Sequence, residues 1–285
     1  MPSALGKKRL ASITPQDCQW LYRRKLDAGL APRTVKHIHE VLHNALADAT
    51  AWGLVPRNVA DLASPPRVPE QEQHALTPEQ ARRLLAAVQG TQLDCIVSLA
   101  LTTGMREGEL LGLRWSAVDL EAGVLRVSRQ LQRVARQGIL ESEPKTKRSR
   151  RPLLLTPIGI KALERQREMV EGMRLAAGPR WEECDLVHPN RYGRPLETSR
   201  LWTRFDKVRT ELGLPDVRFH DLRHSTATLL LSLGIHPKVV QEILGHSQIG
   251  ITLDLYSDHV PAMHSDAMER LNGLLEHELE QDPDD

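Results

Sequence analysis

The chain has 285 residues, of which 40% are hydrophobic, 26% charged and 4% aromatic, and its formal net charge is +1. No apolar run approaches the roughly 20 residues of a membrane span, and three scattered cysteines are too few for a disulfide framework. These properties exclude membrane-embedded and disulfide-rich secreted proteins, and they favour a cytoplasmic protein with room for two domains and an aliphatic, mostly helical core.

Residues 1–66 are predicted to form a small helical domain. Thr14 is a suitable N-cap for a helix that begins at Pro15 and ends before Gly29. A second helix is predicted between Pro32 and Gly53, because apolar residues recur there at helical spacing. These residues are Val35, Ile38, Leu42, Leu46 and Ala49.

A proline-rich and then polar stretch marks a linker, which we place at residues 67–75. The second domain, residues 76–285, opens at Thr77–Gln80, which has a capping-box pattern. Helices are predicted to about Val88 and then from Leu93 to about Thr103. Two domains joined by a flexible linker are suited to close around a cylindrical ligand.

The joint after these helices contains Gly104, Arg106 and Glu109. Gly104 is suited to end one helix, and Arg106 lies before the next. Glu109 follows one helical turn later, so its carboxylate can hold the Arg106 guanidinium while the N–H groups of that guanidinium face outward. The alternative is an ordinary surface ion pair.

Residues 118–155 are predicted to contain two β-strands joined by a polar connection. Val124, Leu125 and Val127 form one apolar run, and Leu153–Leu155 form the other. In the connection, five of the seven residues Lys145–Arg151 are basic. A basic hairpin tip can lie along a DNA groove, and one of its lysines could protonate a leaving oxygen. The alternative is a loop with electrostatic duties alone.

The rest of the second domain is predicted to be mainly helical. Helices are expected at about 157–172 and 199–212, with a short strand at Asp185–Val187 between them. After Pro261 a last helix is predicted, which either folds back on its own chain or docks on a neighbouring protomer.

The charge is distributed unevenly along the chain. Six acidic residues and no lysine or arginine follow Arg270, so the net charge of residues 1–270 is six units more positive than that of the whole chain. A basic body with an acidic tail is compatible with a nucleic-acid partner.

Two short helices are predicted between residues 220 and 245. Leucines at helical spacing indicate the first, which Gly234 ends, and the second begins at Pro237 and is closed by Gly245. Two short helices joined in this way also resemble a helix-turn-helix, which would bind DNA and catalyse nothing.

Four side chains around these helices indicate chemistry. His220 and Arg223 are three residues apart and point the same way on a helix, His246 follows the second helix, and Tyr256 comes ten residues later. The arginine fork matches two phosphate oxygens, and a phenol can attack phosphorus when the developing charge is stabilised. The set is suited to phosphoryl transfer with Arg and His in place of a metal. The spacing of His220 and His224 leaves a zinc site as the alternative.

Taken together, these residues resemble the tyrosine recombinase family, the phage and transposon integrases. The family's T/A-G-x-R-x-x-E-L segment matches Thr103–Leu110, its hairpin lysine matches Pro-Lys-Thr at 144–146, and H-x-x-R, L-G-H and a tyrosine ten residues later follow in order. The six matching positions are Arg106, Lys145, His220, Arg223, His246 and Tyr256.

The resemblance implies a mainly α fold with a small β-sheet or hairpin. It covers about residues 76–275 as a catalytic domain and about 12–62 as part of a helical core-binding domain. Integrases usually carry a longer core-binding domain, so the domain at residues 1–66 is expected to be N-terminally short.

The resemblance also implies roles for the matching residues. Tyr256 would attack a DNA phosphate to leave a 3′-phosphotyrosyl link, and Lys145, with Lys147 as the second candidate, would protonate the leaving 5′-oxygen. Arg106 and Arg223 would hold the non-bridging oxygens. His220 would assist proton transfer from the tyrosine, and His246 would hydrogen-bond the phosphate. Supporting roles are expected for Glu109 and His224.

The implied activity is site-specific recombination without metal, ATP or another cofactor. The implied partners are double-stranded DNA attachment sites, further copies of the chain in a tetramer and accessory DNA-bending or excision factors, in the cytoplasm at the nucleoid and not at a membrane. Three alternatives stay open: a type IB topoisomerase, a DNA-binding protein without chemistry such as a truncated or decayed integrase, and a metal-dependent transposase.

Overall fold

The computed structural model describes residues 5–69, 74–134, 137–142 and 151–245. The chain divides into two compact units, Met1–Glu72 and Gln73–Asp285. Within the described ranges, no helix combines the length and the apolar character needed to cross a membrane.

The first unit is built on two helices, α1 (Pro15–Asp27) and α2 (Pro32–Ala51), as the sequence predicts. Thr14 caps α1 in a capping box, in which its hydroxyl accepts a hydrogen bond from the backbone N–H of Asp17 and the Asp17 carboxylate accepts one from the N–H of Thr14. The helices pack around the buried side chains of Cys18, Tyr22 and Val35. Burial of a few aliphatic and aromatic groups therefore holds this small unit together.

The second unit is organised around one buried helix. Nine of the ten residues of α4 (Asp94–Thr103) are buried, and its neighbours pack around it. Its single charged residue, Asp94, is buried and accepts hydrogen bonds from Arg165 at 2.7 and 3.0 Å. The other α-helices in the described part of this unit are α3 (Pro78–Val88), α5 (Glu107–Leu111), α6 (Pro157–Ala177), α7 (Thr198–Glu211), α8 (Asp221–Ser232) and α9 (Pro237–Leu244).

A three-stranded antiparallel sheet lies beside these helices. Its order is β1 (Val118–Asp119), β2 (Val124–Val127) and then β5 (Arg151–Leu154), with Leu125 opposite Leu153. Leu155 lies just outside β5, contrary to the prediction. These strands and the surrounding helices confirm the predicted fold class, a mainly α protein with small β-sheets.

The connection between β2 and β5, predicted from the sequence only as polar, has structure of its own. The connection contains a further antiparallel pair, β3 (Gln130–Val134) and β4 (Gly138–Ser142). Half of the ten residues of this pair are polar and none is buried, so apolar alternation does not reveal it. The basic residues 143–150 lie outside the described residues.

Two other elements differ from their predictions. Helix α6 continues five residues beyond Gly172, because nothing there ends it, and it stops at Gly178, whose φ is +52°. The expected strand at Asp185–Val187 is only an isolated bridge between Arg114 and Leu186. Hydrogen bonds of the Trp115 and Val187 N–H groups to the Asp185 and Leu113 carbonyls join this segment to the stretch that follows α5.

His188 is a buried histidine whose Nε2 has no hydrogen-bond partner in the described part of the chain. Burial lowers the pKa of His188 to about 4. The unfolded chain binds this proton near pH 6.5, so acid favours unfolding: the stability is complete above pH 6.5 and is lost as the pH falls toward 4. Between pH 7 and pH 4 we expect the free energy of unfolding to fall by about 3 kcal/mol less in His188→Phe than in the unchanged protein.

The measurement is the free energy of unfolding in urea between pH 7 and 4 for both proteins. His37→Phe, a change at an exposed histidine, controls for the substitution itself. Parallel pH curves for His188→Phe and the unchanged protein would contradict the assignment of this acid sensitivity to His188.

Candidate functional site

Helix α8 places Arg223 in the interior of the second unit and His220 at the exposed end of the same helix. His220 is the N-cap of α8, and Arg223, in its first turn, is only 4% exposed. The Thr226 hydroxyl on the same face lies 3.1 and 3.0 Å from the carbonyls of Ala100 and Leu101 on α4. This contact between the hydroxyl and the two carbonyls holds α8 against the buried helix α4 and so determines where Arg223 lies.

Gly104 is the point where α4, α8 and α9 meet. Its φ is +63°, and a Cβ built on it would lie 2.2 Å from Cδ2 of Leu244 and 3.5 Å from Cγ2 of Thr226. Only glycine fits both this backbone conformation and this close approach. The chain can therefore turn directly from α4 to Arg106 beneath the end of α9.

Three arginines donate to three successive carbonyls at the C-terminal end of α9. Arg151 Nε donates to the Ile243 carbonyl at 2.7 Å, Arg223 Nη2 to Leu244 at 2.7 Å and Arg106 Nη2 to Gly245 at 3.0 Å. Carbonyls in the last turn of a helix have no partner within the helix and form its negative end. The three guanidiniums give these carbonyls their hydrogen-bond donors, and the negative helix end holds the three cations close together.

Glu109 is the carboxylate that two of these arginines, Arg106 and Arg151, share. Its Oε1 accepts a bond from Arg106 Nη1 at 2.9 Å, and its Oε2 accepts from Arg151 Nη2 at 3.2 Å and from the Arg106 N–H at 3.0 Å. Burial by itself raises the pKa of Glu109, but Arg151 and Arg106 together hold it below its ordinary value. The carboxylate is therefore ionised at neutral pH and orients Arg106, as the sequence predicts.

The cluster has an excess of positive charge. Among the described residues, the guanidiniums of Arg106, Arg151 and Arg223 surround the one carboxylate of Glu109. Burial and then the charge of Arg106 lower the pKa of Arg223 to about 9, so it stays protonated at neutral pH. Such a cluster is suited to bind an anion.

His220 lies beside this charge in its neutral form. Burial and then the charge of Arg223 lower its pKa, so the imidazole can accept a proton at neutral pH. The His224 ring meets it edge-on, with ring centroids 5.2 Å apart. As for the zinc alternative, the described residues contain no group of three or more His, Cys, Asp or Glu arranged to hold a metal ion.

A cavity of about 830 Å³ lies next to the cluster. Arg106, His220 and Gly245 line it from the helical part, and Leu131 and Ile139 line it from β3 and β4. Arg106 is the most accessible of the three guanidiniums described, with 35% of its side chain exposed. The cavity is therefore a place where an anion can reach Arg106 and His220 together.

The structure brings together three of the six site residues named from the sequence: Arg106, His220 and Arg223. Lys145, His246 and Tyr256 lie outside the described residues, as does Lys147. Their roles stay predictions.

Arg151 was predicted only as one cation of the basic run that begins at Lys145. Arg151 instead begins β5 and is 8% exposed. Its position two residues before buried Leu153 puts both on one face of the strand, and this alternation is the signal that could have revealed it.

The chain is similar to known proteins in both sequence and fold. The sequence model described as the phage integrase family matches residues 74–263. A tyrosine recombinase XerC-like protein of Caldanaerobacter subterraneus subsp. tengcongensis is 29% identical over 96% of this chain and 74% of its own length. An integrase of Streptomyces ambofaciens is 30% identical over 90% of this chain and 67% of its own length.

Two solved structures share the fold. The Tn1549 transposon integrase in complex with transposon right end DNA has a TM-score of 0.76 and 25% identity, with 94% of this chain and 88% of that chain covered. A lambda integrase dimer bound to a COC′ core site has a TM-score of 0.60 and 20% identity, with 87% and 81% covered.

Proposed function

This chain belongs to the phage integrase family of tyrosine recombinases, and from this premise we propose how its site works. Members of the family are site-specific recombinases that cleave and rejoin DNA strands, and this chain is an enzyme of that class. We assign the cluster of Arg106, His220 and Arg223 to the scissile phosphate of a DNA strand.

The observation that carries this assignment is the arrangement of guanidiniums at the end of α9. Two of them, Arg106 and Arg151, bond the same buried carboxylate, Arg223 lies buried beside them, and Arg106 also lines the cavity. A phosphodiester that is attacked at phosphorus gains negative charge on its non-bridging oxygens. Fixed, desolvated donors stabilise that charge without having to reorganise, and in many enzymes this stabilisation contributes most of the rate acceleration.

The remaining roles come from the sequence match. The Tyr256 phenol oxygen attacks phosphorus and forms a 3′-phosphotyrosyl bond while the bond to the 5′-oxygen breaks. His220 accepts the phenol proton, Lys145 or, as the second candidate, Lys147 gives a proton to the 5′-oxygen, and His246 hydrogen-bonds the phosphate. Attack by another strand's 5′-hydroxyl reverses these steps and joins the new strand.

This mechanism requires neither ATP nor a metal ion. The phosphotyrosyl link conserves the bond between phosphorus and oxygen, so rejoining needs no outside energy. The arginines take the charge-stabilising role that metal ions have in many phosphoryl-transfer enzymes.

The proposed partners are duplex DNA attachment sites and further copies of this chain. The Tn1549 and lambda integrases are both seen with DNA, and the lambda integrase as a dimer. Exchange between two sites needs four strands cut, one by each copy, so we propose a tetramer on two sites. Accessory DNA-bending or excision factors complete the assembly.

Covalent trapping tests this function. The protein is mixed with nicked duplexes tiled across the candidate attachment junction, because a nick releases the short strand that carries the 5′-hydroxyl and lets the adduct accumulate. A detergent quench is expected to leave a protein band that carries nucleotide on Tyr256, in equal yield with and without a chelator.

Each alternative has its own outcome. An adduct that a chelator removes would indicate a metal-dependent reaction, and relaxation of supercoils with no preferred sequence would indicate a topoisomerase. DNA binding without any adduct would indicate a protein that binds and does not cut.

A further inference from the structure

We propose that Arg151 is a positioning residue of the cleavage reaction. Its buried guanidinium fixes Glu109 and the C-terminal end of α9, and through them it orients Arg106 and the segment that leads into His246. This inference rests on the proposed function, since it assigns a role within that reaction.

Arg151 joins three parts of the site. It begins β5, its side chain is 7% exposed, and it reaches both Glu109 oxygens, at 3.2 and 3.4 Å. It also donates to the Ile243 carbonyl at 2.7 Å. In the sequence it lies six residues after Lys145, so it anchors the end of the segment that carries the proposed general acid.

Gly245 gives independent evidence that this contact is close. A Cβ on Gly245 would lie 2.8 Å from Nη1 of Arg151 and 3.1 Å from its Cζ. The guanidinium thus packs against the backbone of Gly245, which also has a φ of +66°. The residue directly before His246 is held by Arg151 on one side, and its carbonyl accepts from Arg106.

The geometry requires a guanidinium and not merely a positive charge. Arg151 directs separate N–H groups to a carboxylate and to a helix-end carbonyl, which the planar fork allows and a single ammonium does not. Without it, the partly buried carbonyl of Ile243 loses this donor and Glu109 retains Arg106 as its partner. Glu109, no longer fixed by a second guanidinium, would then hold Arg106 less firmly in its place for the phosphate.

A second buried ion pair in the same unit provides a matched control. Arg165 donates to both oxygens of buried Asp94, at 2.7 and 3.0 Å. Asp94 begins α4 and Gly104 follows its end, so this pair lies about 15 Å from the site along the helix. It resembles the contact of Arg151 but touches no residue of the proposed active site.

The experiment compares Arg151→Met, Arg151→Lys and Arg165→Lys with the unchanged protein. It measures the single-turnover rate of adduct formation on nicked DNA, DNA affinity and thermal unfolding for each. We expect Arg151→Met to slow adduct formation by about 100-fold at unchanged DNA affinity, and Arg151→Lys to recover only a small part. Arg165→Lys is expected to lower thermal stability while leaving the rate unchanged.

The pH dependence separates positioning from a loss of stability. Burial raises the pKa of Glu109, and Arg151 is the first of the groups that oppose it. Without Arg151 that pKa rises, so acid protonates Glu109 and releases Arg106. The rate of Arg151→Met relative to the unchanged protein should therefore fall further as the pH is lowered. This extra fall should vanish when Glu109→Gln is introduced both into the Arg151→Met variant and into the otherwise unchanged protein.

The outcomes distinguish this inference from the proposed function. Suppose that the unchanged protein forms adducts. If Arg151→Met forms them at the same rate, or if its rate loss follows its thermal stability and does not depend on pH, the positioning role is wrong and the recombinase mechanism stands. If the unchanged protein binds DNA and forms no adduct, the mechanism is wrong and the role of Arg151 is wrong with it. The expected rates and pH dependence would support both the recombinase mechanism and the positioning role of Arg151.

Discussion

Replacing Tyr256 with phenylalanine is expected to abolish the covalent adduct and leave DNA binding intact. The phenol oxygen is the atom that bonds to phosphorus in the proposed mechanism, and phenylalanine retains the ring without that oxygen. Loss of a nucleophile that acts as a unit with its base lowers rates by roughly 10⁶-fold. The measurement is the yield of protein-linked strand after detergent quenching, beside a DNA-binding titration.

The chain offers a matched control for this substitution. Tyr192 is another of its three tyrosines, and its ring packs against Arg180 and Arg191, whose Cζ atoms lie 5.4 and 4.8 Å from the ring centroid. Tyr192→Phe is expected to form adducts at the normal rate. Adducts that persist in Tyr256→Phe would overturn the choice of nucleophile, whichever residue then carries the nucleotide.

Replacing Arg223 with lysine is expected to slow adduct formation by about 10²- to 10³-fold. Arg223 donates to the carbonyl of Gly104 and, at 2.7 Å, to that of Leu244, so its fork holds the ends of α4 and α9 together. A lysine retains the charge but cannot direct N–H groups to both carbonyls and to a phosphate oxygen. The measurement is single-turnover cleavage of the nicked duplex at saturating protein.

Arg209→Lys, at an exposed ion pair with Asp206 on α7, controls for an arginine change elsewhere in the unit. Thermal unfolding of each variant shows whether the fold survives. A normal cleavage rate in a folded Arg223→Lys protein would mean that Arg223 has only a structural role between the two helix ends.

Most helices could be predicted because their signals are local. The capping boxes at Thr14 and Thr77 and the glycines after α4 and α9 act on residues within one turn, so a short window of sequence contains them. The β3–β4 pair could not be predicted, since its strands have no buried residue and no regular apolar alternation, and their pairing depends on contacts outside the window. The end of α6 was missed because Gly172, which lies in open space, does not end the helix.

The residues of the active site likewise divide into those that a local motif marks and those that it does not. Arg106, His220 and Arg223 could be named because each stands in a short motif with distinctive spacing. Arg151 could not, because its neighbours in the sequence are basic and made it appear to be one more cation of an exposed loop.

The sequence by itself determined the chemical groups available to this protein: the motifs, the helix boundaries that capping residues set, and the order in which arginine, histidine and tyrosine occur. Only the tertiary structure decided that Arg106, Arg151 and Arg223 act together on the end of α9. Arg106 and Gly245 are 139 positions apart, and no periodicity extends over such a distance. Their meeting depends on α4 being buried from all sides, since that burial brings the end of α9 onto the turn at Gly104.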